Sequence, residues 1–347
     1  MSNLNSITVQ SISGVTNLKR EYITVNNKDA PIIELYIKNH ENKLFIPIVK
    51  DEITWETSRK DSPSKLSFTV LKDNTISFNE GSAVIFKFNG KGVFYGFVFE
   101  KTRDKEHHIK VTAYDQTRYL KNKHTYIYKN KTASELVKMI SADFGLITGN
   151  IQDTKYKIGL RIEDNTPLMD IIQFALSETC LNTGNIFTMY DDFGKLALCD
   201  LNTLRINDIM INGNSTQNFD YKTTIDSNVY NKIILYKDVD KQRQFYISQD
   251  KYHINRWGLL QSVEQLNDGD NPTNKANVML SLFNRINRTL TLKNVLGDLR
   301  LRAGAVVYCN FDIGDIILNK LMLVENAKHK FSNQEYTVDL LVSGFEY

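Results

Sequence analysis

The sequence of 347 residues lacks most of the features that mark metal-binding, disulfide-stapled and hydrolytic proteins. Its three cysteines, Cys180, Cys199 and Cys309, are odd in number and far apart, which is typical of buried thiols in a reducing compartment. The six histidines form no HExxH pair, and neither CxxC nor GxSxG occurs. These absences predict a protein without a metal site, without a cofactor and without a recognisable catalytic centre.

Long apolar runs and an excess of one charge are missing as well. The longest uncharged apolar run, GVFYGFVF at 92–99, is far shorter than the about 20 residues of a membrane span. The N-terminus, MSNLNSITVQ, has no basic-then-apolar signal. The net charge is only +3 with both signs well mixed, whereas nucleic-acid binders carry a clustered basic excess. We therefore expect a soluble intracellular protein that neither inserts into a membrane nor binds nucleic acid sequence-specifically.

Short aromatic and β-branched segments make up much of the chain instead. Because this length exceeds a single compact core, two to four modules are expected. Between residues 31 and 120, seven such segments separated by Gly, Pro and Asn turns predict a first small β-barrel domain. Residues 1–30 are polar and are expected to form a loose N-terminal arm.

Helical periodicity between residues 121 and 218 predicts an α+β middle domain. A Thr-to-Glu capping box at 132–135 precedes an apolar helical stripe. Thr166 is predicted to cap a second helix, with a proline in its first position. A hairpin turning at 191–194 is predicted to follow.

Strands return after residue 218 and are interrupted by a further helix. The segments 219–240 and 294–347 predict a second β-barrel domain, and residues 241–293 predict an insertion within it. The helix of the insertion has Asn271 as its predicted N-cap and Pro272 in its first position. The predicted fold class is α+β, mainly β. Two similar small β-barrel domains flank an α+β domain, with a helix-bearing insertion in the second barrel.

One phrase occurs twice, once near each end of the chain. EGSAVIFKFNGKGVFYGFVFEK at 80–101 and RAGAVVYCNFDIGDIILNKLMLVEN at 302–326 both lead from a small-residue turn through an aromatic strand and a Gly turn. Each then reaches a strand ending on Glu (Glu100, Glu325), a basic hairpin tip and a third alternating strand. This predicts internal duplication of a small barrel, with chance similarity of two hairpins as the alternative. Two copies are too few for a solenoid, which needs at least three.

The strand GVFYGFVFE is apolar on both faces, unlike a strand with one wet face. Its odd-numbered positions are all apolar: Val93, Tyr95, Phe97 and Phe99. Such a strand is covered either by another module of the same chain or by a neighbouring subunit. Burial is worth about 1.5–3 kcal/mol per large side chain. Val306 and Tyr308 are the corresponding candidates for barrel core or subunit interface in the second phrase.

Three short motifs resemble nucleotide, kinase or calcium sites but lie in the wrong context. GKGVFYG leads into a strand, DFG lacks its kinase partners, and NDGDNP lacks the distal Glu of a calcium loop. The first two are better explained as turns, and the third as a loop that ends in a helix N-cap. Paired carboxylates for glycoside hydrolysis need no local motif, so Glu178 and Asp191-Asp192 stay open as candidates.

Three stretches together resemble a known family. They are GFVFEKTRDKEHHIKVTAYDQTRYLKNKHTYIYKNKTASELVKMI, YDDFGKLAL, and TLKNVLGDLRLRAGAVVY followed by LMLVENAKHKFSNQEYTVDLLV. They are similar to hub proteins of contractile phage tails and phage-tail-like bacteriocins. The PBSX prophage (XkdQ-type) family is the nearest type, and the T-even phage baseplate hub is also similar. The resemblance covers most of residues 45–347.

The resemblance implies a non-enzymatic structural hub. In such hubs, three chains form a ring whose six barrels face a hexameric tail tube on one side and a trimeric central spike on the other. The implied partners are two further copies, the tube protein, the spike protein and other baseplate components. The implied location is the bacterial cytoplasm during assembly and then the baseplate. The alternatives are a glycan- or receptor-binding baseplate module and, behind it, a peptidoglycan hydrolase.

Overall fold

The computed structural model describes residues 31–60, 62–73, 75–267 and 269–345. These residues fold mainly into strands, with helices between them, which confirms the predicted mainly-β α+β class. The predicted N-terminal arm, residues 1–30, lies outside the described residues.

The first β-module consists of seven strands: β1 (Ile33–Lys38), β2 (Leu44–Phe45), β3 (Val49–Ser58), β4 (Lys65–Leu71), β5 (Ala83–Phe88), β6 (Lys91–Arg103) and β7 (His108–Tyr114). Burial alternates along β4, where every second residue is buried and those between are half-buried. Successive side chains of a strand point to opposite faces, so this alternation places one face of the strand in a core. A 3-10 helix, Gln116–Lys121, leads to the next module.

The middle module contains β8 (Lys123–Tyr128), α1 (Ala133–Asp143), β9 (Thr148–Ile151), β10 (Arg161–Pro167), α2 (Leu168–Thr183), β11 (Phe187–Asp191) and β12 (Leu196–Asp200). The predicted capping box of α1 is confirmed: Thr132 accepts from the Glu135 N–H, and the Glu135 carboxylate accepts from the Thr132 N–H. The predicted start of α2 is one residue too early. Pro167 is its N-cap and Thr166 makes no capping bond, because β10 continues through Pro167.

The rest of the chain contains a 3-10 helix (Leu201–Leu204), β13 (Arg205–Asn212), β14 (Asn218–Thr224), β15 (Lys232–Val239), β16 (Gln242–Gln249), α3 (Lys251–Trp257), β17 (Gln261–Gln265), α4 (Pro272–Phe283), β18 (Asn287–Leu296), β19 (Val306–Asp312), β20 (Ile317–Phe331) and β21 (Tyr336–Gly344). As predicted, Asn271 caps α4 by accepting from the Asn274 N–H, and Pro272 opens the helix.

Strand pairing moves the boundaries of the predicted insertion. β15 pairs with β16 and β17 in a separate three-stranded sheet, whereas β18 pairs with β14 and β21 in the main sheet. This separate sheet and α4 lie within residues 225–286, between β14 and β18, whereas the predicted insertion spans 241–293. In addition, β13 pairs with β19 of the second β-module, although it was predicted in the middle domain. Alternation predicts a strand but does not reveal which sheet it joins.

The strands of the two β-modules form one 13-stranded sheet. The first module has the order β3-β4-β7-β6-β5-β1, and the second has β14-β18-β21-β20-β19-β13. When the six strands of each module are numbered in chain order, strands with the same number occupy the same position in the sheet. The insertion lies between the second and third strands of the later module. The pair β1·β5 is antiparallel and β13·β19 is parallel. A shared order over six strands favours internal duplication over chance similarity.

Separate apolar cores lie in the first β-module, the middle module, the second β-module and the insertion. Phe331 of β20 crosses from the second module into the core of the first, with its ring centroid 4.9 Å from that of Phe86. The two β-modules are therefore packed together as well as hydrogen-bonded.

Candidate assembly interface

The two copies of the repeated phrase share backbone geometry that chance similarity does not require. Each begins with a glycine of positive φ, Gly81 at 81° and Gly304 at 91°. The Gly81 N–H donates to the Val98 carbonyl at 2.7 Å, and the Gly304 N–H donates to the Val324 carbonyl at 2.8 Å. Each valine N–H donates in turn to the residue after its glycine, at 2.9 and 2.8 Å. Val98 and Val324 are therefore counterparts.

A bulge follows this valine in both copies. The register of β6·β7 shifts directly after Val98, and that of β20·β21 shifts directly after Val324. The extra residue is Phe99 in the first copy and Glu325 in the second. The sequence-based match of Glu100 with Glu325 is thus wrong by one position, because bulges cannot be located from the alternation of residues alone.

The core face of β6 carries Phe94 and Val98, which are 2% and 1% exposed. Gly96 lies between them, where an added Cβ would stand 2.2 Å from the carbonyl oxygen of Tyr114. The close approach of β7 therefore requires glycine. Val93, predicted on the opposite face, is also in this core, because β6 has a register shift against β5 at that point.

Tyr95, Phe97 and Phe99 form the outer face of β6, and the chain itself covers part of it. The Tyr95 ring lies 6.2 Å from Phe193 in the β11–β12 turn. Phe97 and Phe99 lie 6.2 and 5.9 Å from Tyr119 in the first 3-10 helix. The three side chains remain half-buried. The middle module is thus one cover of this face.

Val306 and Tyr308 lie in β19, where Val306 is fully buried and Tyr308 is half-buried. Val306 packs with Leu201 of the second 3-10 helix and with Leu323 of β20, and Ile186, between α2 and β11 of the middle module, packs against this cluster. The middle module therefore contacts the outer faces of both copies. A subunit interface at the predicted residues stays a prediction.

The two β-modules meet where the end of β20 pairs antiparallel with β3, Asn326–Phe331 against Ile53–Ser58. Beside this ladder, the Arg59 N–H donates to the Glu325 carbonyl at 2.9 Å. The Arg59 guanidinium donates twice to the Glu325 carboxylate, at 2.7 and 3.1 Å. Because a bidentate pair has a fixed geometry, it helps to set the register between the modules.

Arg302 lies half-buried where the three modules meet. Its guanidinium is 3.9 Å from the Tyr190 ring centroid and 5.7 Å from that of Trp55, and it donates to the Asp191 carbonyl at 3.2 Å. Burial raises the pKa of Asp115 and, together with repulsion from Asp115, raises the pKa of Asp191 to about 7. Asp191, one of the open hydrolytic candidates, therefore belongs to a buried structural junction.

Glu178, another of these candidates, belongs to a buried ion cluster. Lys275 Nζ lies 2.9 Å from an Asp270 oxygen and 3.1 Å from a Glu178 oxygen, and none of the three side chains exceeds 8% exposure. Burial lowers the pKa of Lys275, but the two carboxylates outweigh burial and raise it. The cluster joins α2 of the middle module to α4 of the insertion. The cluster could have been recognised in the sequence from Lys275, which lies four residues before Met279 and therefore on the apolar face of α4.

Among the residues that the structure describes, one group has metal-ligand spacing, at the exposed tip of the β6–β7 hairpin. Ligand atoms of Asp104, Glu106 and His108 lie within 4.8 Å of one another. The Asp104 carboxylate accepts from the N–H groups of Glu106 and His108, each at 2.9 Å, so a hydrogen-bonded turn accounts for the group. Within the described ranges, no helix combines the length and apolarity needed to cross a membrane.

Comparison with known proteins gives a consistent family. A family model described as YQBQ-like matches residues 53–343. The phage-like element PBSX protein XkdQ of Bacillus subtilis strain 168 is 28% identical over 319 residues, covering 89% of this chain and 96% of that protein. The solved 43 kDa tail protein of prophage MuSo2 from Shewanella oneidensis is similar at 13% identity with a TM-score of 0.64, covering 89% of this chain and 98% of that one.

A further solved structure is the E. coli c3393 protein, at 12% identity with a TM-score of 0.54 over 90% of this chain and 77% of that one. It is described as a type VI secretion component with structural similarity to T4 bacteriophage tail proteins gp27 and gp5. These two solved structures show that the chain shares its fold with a prophage tail protein and a type VI secretion component. The chain belongs to the YQBQ-like family, and the resemblance to the PBSX (XkdQ-type) family noted in the sequence is confirmed.

Proposed function

We propose that the protein is the non-enzymatic structural hub of a contractile tail baseplate. Three chains form a ring with pseudo-sixfold symmetry, which joins a hexameric tail tube to a trimeric central spike. The observation that carries the proposal is the strand order that occurs twice within one chain.

Two similar modules per chain resolve a mismatch of symmetry. In a closed ring, each chain contacts its neighbour through two different surfaces, and the last chain contacts the first. Three chains with two modules each present six similar faces to the tube and keep threefold symmetry for the spike. The β20·β3 ladder supports this arrangement, because it already holds two modules side by side in one sheet.

The partners follow from this position in the tail. They are two further copies, the tube protein, the spike protein and other baseplate components. The similarity of the related c3393 protein to gp27 and gp5 supports a place beside a spike. Assembly takes place in the bacterial cytoplasm before the chain enters the baseplate.

The alternatives receive less support from the site. Glu178 is bound by Lys275, and Asp191 lies in the junction with Arg302, so neither carboxylate is set up for hydrolysis. The aromatic face of β6 is partly covered by the middle module, which leaves it a poor platform for a sugar ring.

Light scattering coupled to size exclusion tests the proposal, on the protein alone and on the protein co-expressed with its spike protein. The expected protein mass is three times 40.0 kDa, about 120 kDa before any spike is counted. Ring-shaped particles should be visible in negative stain. A chain that stays monomeric in both preparations contradicts the proposal.

A further inference from the structure

We infer that a second copy of this chain docks by strand pairing, with β6 of one copy beside β14 of the next. The paired segments are Glu100–Arg103 of β6 and Tyr221–Thr224 of β14. The inference deepens the proposed hub function and rests on it for the number of copies in the ring.

The template is the ladder that joins the two β-modules within one chain. The first part of β20 pairs with β19, and its last part pairs with β3. By strand order, the counterparts of β20 and β3 are β6 and β14. Among the described residues, no strand pairs with the outer edge of β14 or with the β6 edge beyond Val98 that points away from β7. These are the two edges that the internal ladder uses, and an open strand edge recruits another strand unless it is protected.

Strand registers fix which residues of β6 and β20 correspond. Because Val98 and Val324 are counterparts and one bulge residue follows each, position 100 matches 326. Two residues further along, Thr102 matches Lys328. Both are exposed on the outward face of the sheet.

The same reasoning fixes the correspondence of β14 with β3. Leu66 of β4 lies directly across β7 from Val98, and Leu290 of β18 lies across β21 from the valine that matches it. Trp55 pairs with Leu66, and Tyr221 pairs with Leu290. The next residues, 56 and 222, therefore also correspond. Since residue 328 pairs with residue 56 inside the chain, residue 102 pairs with residue 222 of the next copy.

β3, which is paired with β20, is more deeply buried than its counterpart β14, whose outer edge is unpaired. The inward-facing residues of β3 beside β20 are 2–5% exposed: Ile53, Trp55 and Thr57. Their counterparts on β14 are half-buried or exposed: Phe219, Tyr221 and Thr223. Two aromatic side chains at a half-exposed sheet edge have apolar area left to bury against a partner.

The side chains on the two open edges suit each other. Arg59 and Glu325, which form the bidentate ion pair beside the internal ladder, correspond to Ile225 and Phe99 respectively. Between copies, an apolar pair therefore takes the place of the ion pair. Arg103 falls opposite Tyr221, where the internal ladder has His329 beside Trp55 with ring centroids 4.7 Å apart. An arginine over a tyrosine ring is a favourable contact.

Cysteine crosslinking of the full-length protein tests the pairing. Residues directly opposite in an antiparallel ladder have Cα atoms about 4.5–5.5 Å apart, within disulfide range. The pair Thr102→Cys with Lys222→Cys should give covalent dimers and trimers on non-reducing gels. The off-register pair Thr102→Cys with Asp220→Cys has Cα atoms roughly 7–8 Å apart and should give little. All three positions are exposed, so the substitutions leave the fold intact.

An internal control uses the equivalent position of the known ladder. Glu56→Cys with Lys328→Cys should link within one chain, without multimers. The gels are run with the protein alone and with the spike protein, beside light scattering of the same samples. A 120 kDa trimer that fails to link at 102 and 222, or links better off register, overturns the strand pairing and leaves the hub function standing. A monomer without links in both samples overturns both.

Discussion

Replacing Lys275 with methionine should loosen the insertion from the middle module. The Nζ atom lies 2.9 Å from Asp270 and 3.1 Å from Glu178, in a site where the lysine side chain is 2% exposed. Methionine keeps most of the apolar stem but leaves two buried carboxylates without their cation. Removing one partner of a buried ion pair typically costs about 3–5 kcal/mol.

Urea unfolding followed by tryptophan fluorescence measures this loss. The chain has two tryptophans, Trp55 at the junction of the β-modules and Trp257 in the insertion. In a Trp55→Phe background, the remaining fluorescence reports on the insertion. With a slope of roughly 3 kcal/mol/M, the Lys275→Met substitution should lower the midpoint by roughly 1–2 M.

Matched variants separate the ion cluster from a general effect of losing a lysine. Lys251→Met removes an exposed lysine of the same insertion and should change stability by less than about 0.5 kcal/mol. Adding Glu178→Gln and Asp270→Asn to Lys275→Met should recover part of the loss, because the stranded charge is gone. If Lys275→Met unfolds at the same midpoint as Lys251→Met, the reasoning is refuted.

Two further predictions concern the β-modules. Gly96→Ala should destabilise the first module by about 1–3 kcal/mol in urea unfolding, because its Cβ meets the Tyr114 carbonyl. Gly213→Ala, where nothing lies within 4 Å, is the control, and equal effects would reject the clash. Burial lowers the pKa of His329 to about 3, so the neutral ring stabilises the fold above its unfolded pKa near 6.5 and this contribution is lost as pH falls towards 3. Between pH 7 and 4.5, the expected loss in the free energy of unfolding is about 2–3 kcal/mol. In urea unfolding, His329→Phe should therefore depend less steeply on pH than the unchanged protein. An equally steep dependence would contradict the role given to His329.

Local signals in the sequence were sufficient for the starts of α1 and α4 and for the hairpin at 191–194. The Thr132–Glu135 capping box, the Asn271 cap and the 191–194 turn depend on residues only a few positions apart, and each is present in the structure. The start of α2 failed by one residue, since β10 continues through Pro167.

The pairing of strands that are distant in the chain could not be predicted from the sequence. β15 has the same alternation as a strand of the second β-module, yet its partners are β16 and β17. The bulge that turns Val93 inward depends on how β6 pairs with β5. Arg302 gave no signal, because its partners Tyr190 and Trp55 lie more than 100 residues away in the sequence.

The most direct test of the hub account is a cryo-electron microscopy reconstruction of the assembled ring. The account predicts threefold symmetry with six β-modules around one channel. Ladders of β3 with β20 inside each chain should alternate with ladders of β6 with β14 between chains. A reconstruction with any other number of chains, or with one β-module of each chain outside the ring, would contradict it.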